Sequence, residues 1–154
     1  MSDASVEFRT PAGIVYITES NGKISYIGFR GECFGETTPL IKRTTDQLNE
    51  YFNGVRKEFD IPFVVNGNEF QKAVCNSLMK IPYGETTTYK AIAADIGKPT
   101  AIRAVATAIG KNPISVIIPC HRVIGSDGNM RGYAGGIPFK EFLLETEGWK
   151  PPKK

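Results

Sequence analysis

The chain has 154 residues (16.9 kDa), 41% of them hydrophobic and 23% charged. That is room for one compact domain, or a small domain tied to a medium one, with the composition of a folded rather than a disordered protein. The net charge of +3 hides an asymmetry: residues 1–70 carry seven Lys/Arg against ten Asp/Glu, and residues 71–154 carry twelve against six. The second half therefore reads either as the face for a polyanion such as nucleic acid or as a plainly solvated basic surface. No apolar run approaches the roughly 20 residues that cross a bilayer. The opening residues lack the basic and apolar regions of a signal peptide, so no membrane partner and a cytoplasmic protein are expected.

The first elements read as strands. Val6–Arg9, Ile14–Ile17 and Ile24–Ile27 are short, β-branched and aromatic, and are separated by Pro11-Ala12-Gly13 and by Asn21-Gly22, a two-residue hairpin signal. A helix is predicted from about Pro39 to Phe52, stopped by Asn53-Gly54, followed by a strand over Phe59–Val65. Asn66-Gly67-Asn68 is the best boundary, dividing the chain into residues 1–66 and 67–154. Beyond it, Asn68 caps a predicted helix to Lys80. Two short helices follow, Tyr89–Ile96 and Ala101–Ile109, each expected to be capped by a threonine (Thr88, Thr100) and joined through Gly97-Lys98-Pro99. Helix, short turn, helix is the pattern that presents a second helix to a DNA groove, and also a plain packing unit. Ala101, Ala104, Ala106 and Ala108 leave that second helix smooth, with Arg103 its one long charged side chain; the pairing tips the reading toward DNA. A turn at Ser126–Asn129, a Gly-rich loop over residues 132–136 and a last helix from Phe139 to about Thr146 complete the order, before a frayed Pro-Pro-Lys-Lys tail. The fold class is α+β.

Cys33, Cys75 and Cys120 are odd in number and contain no Cys-x-x-Cys pair, which argues for a reducing compartment over a disulfide framework. Together with the single His121 they would number four metal ligands, but the spacing matches no standard structural zinc site, and no metal or cofactor is expected. Chemistry concentrates at Cys120-His121-Arg122. An ordinary thiol is only a few per cent thiolate at neutral pH, so a cysteine that reacts needs a base or a positive neighbour, and both stand next in sequence.

The segment Ile118-Pro119-Cys120-His121-Arg122-Val123 resembles the active-site signature of the O6-alkylguanine-DNA alkyltransferases, the methylated-DNA–protein-cysteine methyltransferases. The resemblance extends in order and spacing over Phe70-Gln71, Ile81–Thr86, Tyr89, Ala101–Val105, Asn112-Pro113, Gly132–Gly136, Lys140–Leu144 and Glu147-Gly148, with Tyr51-Phe52-Asn53-Gly54 similar upstream. It implies DNA repair by one irreversible, stoichiometric transfer of an alkyl group to Cys120 from O6-alkylguanine, with O4-alkylthymine a second candidate donor. It also implies that His121 takes the thiol proton through a bridging water, that Glu147 stabilises the imidazolium and that the Tyr89 hydroxyl assists the leaving base. Arg103 would fill the stack behind an extruded nucleotide, with Thr100, Ala101, Ala104 and Arg122 also on DNA. Asn112, Val123, Tyr133, Ala134 and Lys140 would line the pocket, Lys140 being equally readable as a solvated helix residue.

The same resemblance implies a ribonuclease-H-like N-terminal unit, a winged-helix-like C-terminal unit, and a monomer acting on double-stranded alkylated DNA and associated with the nucleoid when bound. Cys75 stands where relatives often carry tryptophan, and Ser115 and Ala134 where some carry proline and serine. Three other readings compete. A non-catalytic reader of alkylated DNA would lack the cysteine, a sequence-specific transcription factor would carry more base-reading side chains on its second helix, and a cysteine hydrolase would turn over.

Overall fold

The structure, a computed structural model, describes residues 3–128 and 132–149. Asn129 of the expected turn and the tail at 151–154 lie outside the described residues. Among the described residues no helix is long and apolar enough to cross a membrane.

Strands β1 (Ala4–Thr10), β2 (Gly13–Ser20) and β3 (Lys23–Gly28) form an antiparallel sheet in that order. Asn21 and Gly22 both take left-handed backbone (φ 53° and 78°), the pair of positive angles that a tight primed turn requires. Alternation buries Val15 and Ile17 on β2. On β3 the register shifts beside Thr18 and Glu19, leaving Ser25 outside the ladder between Ile24 and Tyr26. That bulge lets Ile24 and Ile27, an odd number of residues apart, both reach the core, where each is fully buried and contributes roughly 1.5–3 kcal/mol.

Helix α1 (Pro39–Phe52) starts where Thr38 Oγ1 accepts from Ile41 N at 3.0 Å, with Pro39 in its first turn. The predicted strand over Phe59–Val65 is not one. It is an extended segment touching β3 at a single bridge, Ile24–Phe63, through Ile24 N to Pro62 O and Val64 N to Ile24 O. Pro62 has no N–H, so the ladder cannot grow in that direction. Further along, the same edge of β3 receives Pro113–Ser115: Ile27 N donates to Pro113 O and Ser115 N to Ile27 O, both at 2.8 Å.

Helix α2 (Glu69–Leu78) is capped by Asn68, whose side chain accepts from Gln71 N at 2.8 Å, and it ends short of the predicted Lys80. After a two-residue strand β4 (Thr87–Thr88), α3 (Tyr89–Asp95) is capped by Thr88 as expected. Helix α4 (Ile102–Gly110) corrects the other threonine cap. Ala101 holds the cap position and no side chain caps it, because the backbone closes the turn instead, Ala101 N donating to Lys98 O at 2.9 Å. Thr100 is exposed. Strand β5 (Val123–Ile124) pairs parallel with β4, and α5 (Ile137–Thr146) begins two residues earlier than predicted, from Gly136 at φ 94°. The α+β class holds.

Candidate functional site

The segment leading to Cys120 is set before its side chains are considered. Asn112 closes on it from both ends of its amide, Oδ1 accepting from Ile114 N at 3.0 Å and Nδ2 donating to Ile118 O at 2.8 Å. Two three-residue turns of opposite hand follow. Ile117 N bonds to Ser115 O across Val116, and Cys120 N bonds to Ile118 O across Pro119 (φ −82°, ψ 62°). Val116 sits at φ 72°, an outlier for a β-branched residue and the rarer, strained form of such a turn. Its buried side chain and the pairing of Ser115 to β3 hold it there. A single 3-10 turn, Cys120–Arg122, then feeds β5; the pairing of Thr88 with Ile124 lays the start of α3, and so Tyr89, beside that strand.

His121 and Glu147 are sealed from solvent, and Arg122 nearly so. Glu147, just past the end of α5, lies 2.6 Å from His121 Nε2 through Oε2 and accepts from Arg122 through both oxygens, Nε at 2.8 Å and Nη2 at 3.0 Å. Gly84 N donates to it at 3.1 Å, and the Tyr51 hydroxyl at 2.6 Å. Arg122 Nη1 is used on Ile81 O at 2.7 Å. Burial works against the Glu147 charge, but His121, Arg122 and Tyr51 outweigh it and hold the carboxyl down at about 2. Burial also lowers the proton affinity of His121, against the pull of Glu147. The histidine thus rests as a neutral base aimed at a carboxylate, and its Nδ1, buried, has no partner among the described residues.

Burial pushes the Cys120 thiol up, with the Asn112 side chain, the Lys140 charge and Tyr133 pulling the other way. Neither nitrogen of His121 bonds the sulfur: Nε2 is on Glu147 and Nδ1 has no partner among the described residues. The Tyr133 hydroxyl is buried beside Cys120 and Ser115 without a hydrogen bond of ordinary geometry among the described residues. In front of the thiol is a cavity of about 20 Å³, walled by Ile109, Asn112, Ser115, Tyr133 and Ala134, with space for about one water. The wall has little freedom behind it. A side chain on Gly135 would stand 2.5 Å from the Phe29 ring, just past β3, so a larger residue would have to displace that ring.

The structure thus gathers Cys120, His121, Glu147, Asn112, Tyr133, Ala134 and Lys140, with Val123 buried behind them. Lys140 is interior, its ammonium donating to Val123 O at 2.6 Å, so the alternative of a solvated lysine fails. Arg122 needs correction too. Expected on DNA, it is buried with its guanidinium committed to Glu147 and Ile81, because the buried carboxylate needs a counter-charge. Arg103, Ala104 and Thr100 stand apart on the outside of the helix pair, while Val105, Ala108 and Ile109 turn inward. Tyr51 and the Gly84 amide were missed as site groups. The similarity over Tyr51-Phe52-Asn53-Gly54 and Ile81–Thr86 was the available signal, but periodicity had already explained Tyr51 as core.

Comparison with known proteins fits this geometry. Residues 69–149 match the family model described as 6-O-methylguanine DNA methyltransferase, DNA binding domain. A methylated-DNA–protein-cysteine methyltransferase of Methanosarcina acetivorans is 43% identical over 92% of this chain and 96% of its own. The inducible enzyme of that name from Bacillus subtilis is 40% identical, over 90% and 80%. Among solved structures, Mycobacterium tuberculosis O6-methylguanine methyltransferase superposes with a TM-score of 0.85 at 37% identity, covering 99% of this chain and 97% of that one. The Mycobacterium tuberculosis OGT in complex with DNA gives 0.82 at 38%, covering 93% and 91%. With the matched model spanning more than half of its length and near-complete relatives this similar, the chain belongs to the methylated-DNA–protein-cysteine methyltransferase family.

Proposed function

We propose that this protein repairs DNA by moving an alkyl group from O6 of guanine onto Cys120, once per molecule. The observation that carries the reading is the sealed Glu147–His121 pair directly after the cysteine. It pairs a base with a fixed carboxylate where no solvent competes, and Nδ1 is left to receive the thiol proton through a bridging water. As the proton moves, Glu147 steadies the imidazolium. The thiolate then attacks the alkyl carbon, the S–C bond forms and the C–O6 bond breaks. The electron pair leaves on guanine, with the Tyr89 hydroxyl donating to the departing ring. A thioether has no bond labile to water, so the cycle ends there.

A base in a stacked duplex cannot reach a buried sulfur. The substrate nucleotide is therefore rotated out, at a cost of a few kcal/mol, with Arg103 filling the gap. The exposed small side chains of α4 let the backbone approach the groove, and the basic half supplies phosphate contacts. At about 20 Å³ the cavity is smaller than a guanine ring, so the pocket has to open to admit one. The N-terminal sheet with α1 supports a ribonuclease-H-like unit over 1–66, and the α3–α4 pair a winged-helix-like unit over 67–154, working as a monomer on double-stranded alkylated DNA in the cytoplasm.

The test is intact mass after mixing with duplex DNA containing one O6-methylguanine. One methyl group should be gained, mapped to Cys120, and never more than one per chain. Turnover at substoichiometric protein, or a methyl on Cys33 or Cys75, would overturn the reading.

A further inference from the structure

Glu147 is over-subscribed. A carboxylate offers about four lone-pair sites, and five donors press on this one. Gly84 N and Arg122 Nε use Oε1, while Arg122 Nη2, His121 Nε2 and the Tyr51 hydroxyl converge on Oε2. Tyr51 comes from the last turn of α1, far from the cysteine in sequence. It is fully buried and packs its ring against Phe52, Phe59 and Tyr83. A tyrosine that only filled the core could have given its hydroxyl to Leu143 O. That carbonyl lies at 3.5 Å, whereas the carboxylate is held at 2.6 Å.

We propose that Tyr51 is a positioning residue for alkyl transfer: by occupying the Glu147 oxygen that faces His121, it limits how strongly the carboxylate draws a proton onto the imidazole. The proposal rests on the reading of His121 as the base. Neutral at working pH, since burial and the neighbouring carboxylate raise its own proton affinity, Tyr51 adds a donor but no charge. The other groups facing the pair are Arg122 from the 3-10 turn, Lys140 from α5, Tyr83 from the loop after α2, and Cys120 itself. Arg122 and Lys140 are cationic and lower the proton affinity of His121, so Tyr51 acts in the same direction as both. Its consequence is a base whose Nδ1 carries no proton at rest, yet still adjacent to a full negative charge when the thiol proton arrives.

The experiment is Tyr51→Phe, which removes one oxygen and keeps the ring. His121 is the single histidine of the chain, so its ring signals are read without ambiguity by NMR in DNA-free protein. The His121 titration midpoint should rise by about one pH unit. The acidic limb of the single-turnover transfer rate should move up with it, equally for duplex DNA and for a free O6-alkylguanine base. A midpoint and limb superimposable on those of the unsubstituted protein would overturn the proposal, whatever happens to thermal stability. A midpoint that moves while the transfer profile stays still would instead remove His121 as the base, overturning the proposal while leaving alkyl transfer to Cys120 in place. If the variant fails to fold, the unsubstituted protein labelled at tyrosine Cζ answers the same question. The Tyr51 carbon should report the titration of His121, and a Tyr51 signal flat through that titration would overturn the proposal.

Discussion

Arg122 and Arg103 carry the same guanidinium into opposite surroundings. Arg122 is walled in, with three of its nitrogens on Glu147 and Ile81 O and its face over the Tyr83 ring at 5.7 Å. Arg103 stands in solvent on α4, whose inner side alone is packed. A count of charges along the chain assigns both to a basic surface. What separates them is the buried carboxylate contributed by the end of α5, which captures one; among the described residues no ion pair holds the other. On the proposed reading the sealed cluster is the reactive centre, costly to stability if broken, and the open helix is a contact surface that can be changed without unfolding anything.

That contrast can be broken most forcefully at Arg122. Arg122→Ala leaves Glu147 buried with less compensation and should cost about 3–5 kcal/mol in thermal or denaturant unfolding, while the salt dependence of DNA binding stays as it was. If stability held and the slope of log K against log salt fell by about one, Arg122 would belong on DNA after all. Next comes Arg103→Ala. It should leave stability within about 0.5 kcal/mol yet slow single-turnover repair of duplex DNA by about tenfold or more, since a rate loss of that size matches about 1.4 kcal/mol of a flipping cost of a few. The free O6-alkylguanine base should react at the ordinary rate. Equal impairment of both substrates would make Arg103 structural.

Acid sharpens the comparison further. The proton affinities of Glu147 and His121 are both lower in the folded protein than in the unfolded chain, so the unfolded chain binds more protons as pH falls. Stability should therefore be fully expressed above the ordinary histidine range near 6.5. It should decline below it as His121 is favoured to protonate in the unfolded chain, and decline again below about 4.5 as Glu147 follows. Urea unfolding across pH 3–8 checks this, and Glu147→Gln should flatten the lower part of the curve. The smallest expected effects distinguish the two threonines. Thr88→Ala should cost about 1 kcal/mol, as the loss of a helix cap does. Thr100→Ala should cost less than about 0.5 kcal/mol, because that helix is closed by backbone.

Local features were legible in the sequence and distant ones were not. Asn68 and Thr88 cap their helices through atoms three residues away, and Asn21-Gly22 turns on its own two residues, so each is written in adjacent letters. The Cys120-His121 pair was equally visible. The bulge at Ser25, the docking of Pro113–Ser115 on β3 and the Tyr51–Glu147 bond each depend on a partner elsewhere. Periodicity explained Tyr51 fully as an apolar residue of α1, and nothing in its neighbours marks the hydroxyl as useful. Phe59–Val65 has strand composition, but the edge it would have joined is shared with a second segment.

The bonds that Glu147 makes have a consequence for protein synthesis. His121 and Arg122 lie in the turn that feeds β5, whereas their carboxylate follows α5, 26 residues beyond His121. A fragment that includes β5 but stops before α5 therefore holds the cysteine, the histidine and the arginine without the group that joins them. On the reading proposed above, such a fragment is a sluggish nucleophile beside an uncompensated arginine, and alkyl transfer waits until α5 has been added.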